Sequence, residues 1–434
     1  MQAPVSSRGP HQTLEKTWTI TSLSGLRNLL VQVPGAVFVD YDASLKSASD
    51  VVAKVVMTGD SADLLQLFQV NPWSQHEGDG IEFRFHNDAN IRARGHVLAQ
   101  IFVSDKHALQ LVKSSSSADV VVGDSIVVND NVDAKLEVES SGSGGIFITS
   151  TEAMTIRALT VTTSGSGDIQ VQVPSVKASK AIEINSSGSG EVAILADEIS
   201  SATVSTKVTG SAEVFLQANR VSATAINTIV AGSGSATFSR RGQCATHYIK
   251  VSGSGSVAAG SIVSENADVI VSGSGDVLVQ ATNKLVASIS GSGSVQYVNA
   301  QPSQVLATGS HFRKNSKHSH KKIKQASKNR YDVYHPRELP PRTPQLIVLH
   351  NAGYVRWGDD HASWGNGWNI DDDSDSSEDF DYWRATSIKP AAALPPSVGD
   401  SSTVVILVLA GVVMGVAGVT LQRYRNRSTY NPLV

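Results

Sequence analysis

Apolar and polar residues alternate over short runs along most of this chain. Leu159 and Val161, Ile182 and Ile184, Ile249 and Val251, and Val269 and Val271 each share one parity. The parity returns a few residues later at Ile169, Val171 and Val173, at Val192 and Ile194, and at Val277 and Val279. Val295 and Tyr297 keep it, with Val298 off phase. A period of two puts every second side chain on one face, the mark of a half-buried strand. Between the paired runs stand short Gly-Ser stretches: "SGSGD" from Ser164, "SGSGE" from Ser187, "SGSGS" from Ser252, "SGSGD" from Ser272 and "SGSGS" from Ser290. Each unit reads as strand, turn, strand, second turn.

The units keep a period. Their first glycines are Gly142, Gly165, Gly188, Gly210, Gly232, Gly253, Gly273 and Gly291, with a weaker one at Gly309, at steps of 23, 23, 22, 22, 21, 20, 18 and 18 residues. Scattered linkers would hold no such period, whereas solenoids do. One unit cannot bury its own apolar face, so the units must stack. The prediction is an all-β, parallel β-solenoid with coils about 4.8 Å apart. The glycines then form a repeated corner that needs positive φ or close backbone approach. The serines between them, Ser143 to Ser292, should align as a ladder. Upstream, "SSSADVVVGDS" is a degenerate unit, and "GAVFVDYD", "LLQLFQV", "IEFRFHN" and "VLAQIFVSD" are strand-like. Residues 19–309 are therefore read as one β domain, after a disordered start over residues 1–18.

The pattern breaks after Gly309. A basic stretch holds Lys314, Lys317, Lys321, Lys322, Lys324 and Lys328 with His318 and His320. Proline-rich, Gly/Trp-rich and acidic stretches follow, and only "LIVLH" resembles a strand. Residues 310–402 read as a mostly disordered stalk. The basic patch could meet acidic glycans or lipid head groups, or pair with the acidic run. Trp357, Trp364 and Trp368 could stack on sugars or lie near a membrane.

Residues 403–421, "TVVILVLAGVVMGVAGVTL", carry no charge. That length suits a single helix across a bilayer. Arg423, Arg425 and Arg427 follow in a short tail over residues 422–434. Cationic flanks stay cytosolic, which predicts a plasma-membrane protein with its β domain outside. No signal peptide is visible at the amino terminus, so a tail-anchored arrangement with a cytosolic domain is the rival topology. Gly411 and Gly415 form GxxxG, a helix-packing face suited to self-association. The closing "YNPL" is similar to a tyrosine-type sorting signal.

Composition narrows the function. The net charge of -3 gives no global basic field for nucleic acid. One cysteine, Cys244, excludes an internal disulfide and a multi-cysteine zinc site, and reads as a small buried residue. The blocks "SLSGLRNLLVQVPGAVFVDYD", "LLQLFQV", "GDGIEFRF" and "LQLVKSSSSADVVVGD", followed by serial "SGSGD" units, resemble the GIN domain, also called the auto-transporter adhesin head domain, over about residues 19–309. That resemblance implies a β-solenoid with an adhesive or surface role and supplies no catalytic residues. The long tail and carboxy-terminal anchor depart from the commoner bacterial form.

Candidate chemistry is sparse. The Gly-Ser units lack the lysine of a nucleotide phosphate loop and open strands rather than helices, so no phosphate cradle is expected. The position after each corner holds Asp119, Gly145, Asp168, Glu191, Glu213, Ser235, Ser256, Asp276 and Ser294. Asp168, Glu191 and Glu213 on successive coils could attract Ca²⁺, or be solvated surface. No other cofactor is expected. Asp168 and Glu191 could also serve a polysaccharide-acting enzyme, which needs two flanking carboxyls. Nothing nearby in sequence supplies further machinery. Asn185, in "NSS", is the glycosylation candidate. The expected function is non-enzymatic recognition of a glycan or surface protein. A passive spacer and a carbohydrate-active enzyme are the alternatives.

Overall fold

A computed structural model describes residues 10–21, 25–47, 51–73, 79–86, 92–308 and 323–349, with the backbone of two short strands, Val355–Trp357 and Lys389–Pro390. From Leu111 onward the chain winds into a stack of parallel coils laid on the strands Asn28–Gln32 and Ala36–Tyr41, the β-solenoid expected from the period. The strands Glu191–Gly210, Glu213–Gly232, Ser235–Gly253 and Ser256–Gly273 lie in register on one another almost residue for residue. Like therefore stacks on like. Ile146, Ile169, Val192, Val214, Ala236, Val257, Val277 and Val295 form one interior column, all essentially excluded from solvent. Leu136, Leu159, Ile182, Val204, Ile226, His247, Ala267 and Leu285 form a second. Each buried aliphatic side chain in such a column contributes roughly 1.5–3 kcal/mol.

The Gly-Ser corners lie on one edge. From Ser166 to Ser274 each corner serine gives its N–H to the carbonyl of the glycine one coil back, as Ser189 does to Gly165 at 3.2 Å and Ser274 to Gly253 at 2.9 Å. Two glycines show the two reasons for glycine here. Gly232 has φ of +122°, open to glycine at little cost. Gly165 has no positive φ, but a Cβ there would run into the carbonyl of Gly142. Hydroxyl contacts along the serine ladder join Ser211 to Ser233 at 3.2 Å and Ser274 to Ser292 at 2.9 Å.

The corner keeps its length while the repeat shortens. Thr163 to Ile169, Val208 to Val214 and Ile289 to Val295 all bracket it with the same spacing. The lost residues come out of the bend at the other end, where the register slips at Ala218/Val221, Thr237/Gly242 and Ala259/Val263.

Two regions differ from expectation. The first strand, Leu14–Thr21, begins inside the stretch read as disordered, because Trp18 and Ile20 alternate into the core. It pairs antiparallel with Val51–Gly59, which pairs antiparallel with Arg94–Val103, so the stack starts with a three-stranded antiparallel cap. The helix Ala62–Gln66 sits on this cap, with Ser61 as N-cap. Lys16 donates to the carbonyls of Leu65 and Phe68, closing the helix's far end. Burial lowers the Lys16 pKa to about 8.

The larger correction concerns the stalk. Residues 323–349 form an extended strap against the solenoid. The strap begins on the strand Ser294–Tyr297, where Ile323 faces Val295. It ends beside Arg94–Val103, where Gln345–Leu349 pairs antiparallel. It thus runs back along the stack from the last coils to the cap. Ile323, Tyr334, Ile347 and Leu349 are buried, and that burial offsets the ordering cost that the proline-rich composition suggested would go unmet.

Candidate functional site

Each coil has two outward faces, one on the strand after the corner and one on the strand before it. Outward residues after the corner form the column Phe38, Val121, Phe147, Gln170, Ala193, Phe215, Thr237, Ala258 and Leu278. Most of it is apolar, and the strap lies across it. Tyr334 packs on Phe215 with ring centroids 5.2 Å apart, in a cluster with Ala193 and Leu195. Gln217 accepts from the Tyr334 N–H at 3.1 Å and donates to its carbonyl at 3.3 Å. The Tyr334 hydroxyl donates to Gln170 at 3.1 Å. Burial, with the Glu191 charge nearby, pushes the Tyr334 hydroxyl up to about 12. Further along, Arg342 grips Asp40 with both guanidinium nitrogens, at 2.6 and 2.9 Å, and lies over the Phe38 ring. Under the strap's other end a cavity of about 290 Å³ is lined by Leu278, Gln296, Lys328 and Arg330.

The predicted carboxylate ladder sits at the edge of this covered face. Asp168 accepts the N–H of Glu191 at 2.7 Å, and Asp119 accepts that of Gly145 at 2.7 Å. Glu191 and Glu213 are register partners. Between Asp168 and Glu191 stands Arg337 of the strap, paired with both and 3.0 Å from the Glu191 carboxylate. The guanidinium occupies the position a cation would take. Burial raises the Asp168 carboxyl above its ordinary range despite that guanidinium, and raises Asp119 in the same way. Glu213 is raised by burial and by the Glu191 and Asp332 charges. Two of these carboxylates therefore close backbone donors at strand starts, and Arg337 answers the ladder's charge. Tyr334 and Arg337 escaped sequence reading because nothing local marks them. The usable signal lay in the coils, whose unbroken apolar runs "VAIL" and "VFL" indicate strands covered on both faces.

The strand before the corner is different. Its outward columns are Thr162, Asn185, Lys207, Ile229, Lys250, Ile270 and Ser288, and beside it Glu183, Ser205, Asn227, Tyr248, Asp268, Val286 and Leu306. These residues are half-buried to exposed. The described strands of the tail pair elsewhere: with Ser294–Tyr297, with Arg94–Val103, with one another at Gln345–Leu349 and Val355–Trp357, and with the first strand. Asn185 lies on this open face, half-buried within a strand rather than at a loop tip. Cys244 is buried, and burial pushes its thiol up to about 12, so it is no reactive site. Residues 403–421, with Gly411 and Gly415, lie outside the described residues, as do most of the basic patch and Trp364 and Trp368. Among the described residues no helix is long and apolar enough to cross a membrane.

Residues 176–300 match the family described as "Putative auto-transporter adhesin, head GIN domain". The resemblance read from the Gly-Ser series holds over these coils. No curated protein matches the chain. Among solved structures, a "putative adhesin" from Parabacteroides merdae is 13% identical, with 72% of this chain and 97% of that one covered, at a TM-score of 0.34. A "putative adhesin" from Parabacteroides distasonis is 15% identical, with 73% and 98% covered, at 0.33. A structure from the same organism described as a "putative lipid binding protein" is 13% identical, with 73% and 98% covered, at 0.30.

Proposed function

We propose, from the GIN-domain match over residues 176–300 and the face it builds, that this protein is a membrane-anchored, non-enzymatic recognition rod. The open face before the corner is its contact surface, and its ligand is a glycan or surface protein outside the cell. The observation that carries the reading is the contrast between the two outward faces. The apolar one is sealed from within the chain, and the open one presents rows of Lys, Asn, Tyr and aliphatic residues at one fixed spacing. Repetition along a stack lets many weak contacts add without any one being strong. The non-enzymatic part is supported by Asp168 and Glu191, which face Arg337 and, for Asp168, a backbone N–H rather than an open groove. Anchoring through residues 403–421 rests on their uncharged length.

The test uses the full chain in detergent, screened on arrays of glycans and extracellular-matrix proteins. Binding should appear and should fall at least tenfold when Lys207→Glu, Tyr248→Ala and Lys250→Glu are combined. Failure of the intact chain to bind above a triple-variant control would overturn the recognition reading. Turnover of a polysaccharide that disappears in Asp168→Asn would replace the proposal with an enzyme. Protease access to an epitope inserted near residue 370 in intact cells should confirm the outward side, and protection would overturn it.

A further inference from the structure

A second cluster lies on the antiparallel cap, away from both faces. Leu14 pairs with Gly59, and Gly59 with Val97, across three neighbouring strands. Just beyond that line the same three segments supply His11, Asp60 and His96. The Asp60 carboxylate receives both imidazoles on one oxygen, with Oδ2 2.9 Å from His11 Nδ1 and 2.8 Å from His96 Nδ1. Its other oxygen, Oδ1, accepts the backbone N–H of His96 at 2.6 Å, which fixes the carboxylate plane. Gly95 leaves the room for this approach, since a Cβ there would come within 2.7 Å of Oδ1. The two imidazole rings stack with centroids 3.8 Å apart and 28° between planes, and both Nδ1 atoms meet Asp60 Oδ2. His11 reaches this position with φ of +65°, a left-handed conformation a histidine can adopt at modest cost.

We propose that His11, Asp60 and His96 form a binding site for one divalent cation of the Zn²⁺ class. Two imidazole nitrogens and one carboxylate oxygen are the donor set of an open, three-ligand zinc centre. The three donor atoms all lie within 4.8 Å of one another. In a tetrahedral site with bonds of about 2.0–2.1 Å, donors sit roughly 3.3 Å apart, so opening the present contacts by about half an ångström admits the ion. The Oδ1 contact is the outer hydrogen bond that holds a ligating carboxylate in place. The His11 side chain is 47% exposed, His96 15% and Asp60 26%, so the fourth position faces solvent. Bound metal would join the segment before the first strand to the turn after Val51–Gly59 and to the strand Arg94–Val103, stapling the end of the stack.

The test takes the untagged full chain, stripped with a chelator and titrated with Zn²⁺ by calorimetry, then with Co²⁺ by visible absorption. One equivalent should bind, and Co²⁺ should give the intense bands of tetrahedral coordination. His11→Ala and His96→Ala should each weaken binding more than about tenfold and abolish the bands. Asp60→Asn should do the same while keeping an acceptor for the His96 N–H. His11 lies on the surface, so its variant should melt as the metal-free wild type does, which separates lost binding from lost folding. Absence of a stoichiometric Zn²⁺ equivalent, or binding that changes less than threefold in His11→Ala and His96→Ala, would overturn the site.

Discussion

The two outward faces of one coil are built from the same repeat, yet they are opposite in character. After the corner, the residue pointing out at successive coils is Phe147, Gln170, Ala193, Phe215 and Thr237. Before it, the outward residue is Asn185, Lys207, Ile229, Lys250 and Ile270. The first column needs a cover and the chain supplies one. The second tolerates water. In a solenoid the interior is dictated by stacking, so the chain's freedom to specialise lies in which outward column it leaves open.

The sharpest break of that contrast is a truncation on each side. Phe215→Ala, or Tyr334→Ala opposite it, should cost about 3 kcal/mol in urea unfolding and make residues 326–345 sensitive to protease. Lys207→Ser on the open face should change stability by less than about 0.5 kcal/mol and leave the strap protected. Equal effects would remove the distinction between the faces.

Acid probes the interior that both faces share. His247 stands fully buried in the Leu136–Leu285 column, near Thr228 at 3.2 Å and edge-on to Phe238. Burial lowers its pKa from 6.5 to about 3, so it stays neutral in the fold while the unfolded chain takes up a proton below 6.5. Stability is therefore complete above pH 6.5 and declines as pH falls towards 3, by about 1.4 kcal/mol per unit, or roughly 2 kcal/mol at pH 5. His247→Leu should flatten that slope in denaturant midpoints measured between pH 7 and 5.

A smaller effect tests the strap's far end. Arg342→Ala removes a two-point ion pair with Asp40 and the cation over Phe38, a loss of about 1 kcal/mol at this partly exposed position. Hydrogen exchange at Gln345–Leu349 should speed up by about fivefold, with the coils around Val214 unaffected. The smallest expected response is to Ca²⁺. Millimolar Ca²⁺ should leave the melting temperature unchanged in the wild type, where Arg337 sits between Asp168 and Glu191, and should raise it slightly in Arg337→Ala.

The coils were legible because stacking makes the sequence repeat what the structure repeats. Gly165 and Gly232 announce the corner through a period no linker would keep, and the alternation at Ile182 and Ile184 fixes which residues turn inward. The cap was less legible, since the alternation in "VVAKVVMTG" is the same whether its neighbour is parallel or antiparallel. The strap was illegible from its own residues. Tyr334 and Arg337 have no periodicity, and their partners Gln170, Glu191 and Phe215 lie more than a hundred residues away. The carboxylates were found by position, but a ladder seen along the chain shows its repulsion and hides the guanidinium that relieves it. Two histidines and an aspartate, one from a cap strand and two from the segments flanking the others, carry no spacing signal at all.

The strap also decides how the rod would bear a load. The described chain makes its last pairing at Lys389–Pro390, on Leu14 and Glu15 of the cap, not at the last coil. A pull on the tail would first meet the short pair of Lys389–Pro390 with the first strand, then Gln345–Leu349 with Arg94–Val97, then Arg342, then Tyr334. These attachments would give way in succession, like stitches. About twenty residues between Ile323 and Gln345, roughly 70 Å of chain at full extension, would then swing free of the coils before any coil was strained. The covering of an apolar face is thus also a shock absorber in series with whatever the open face holds.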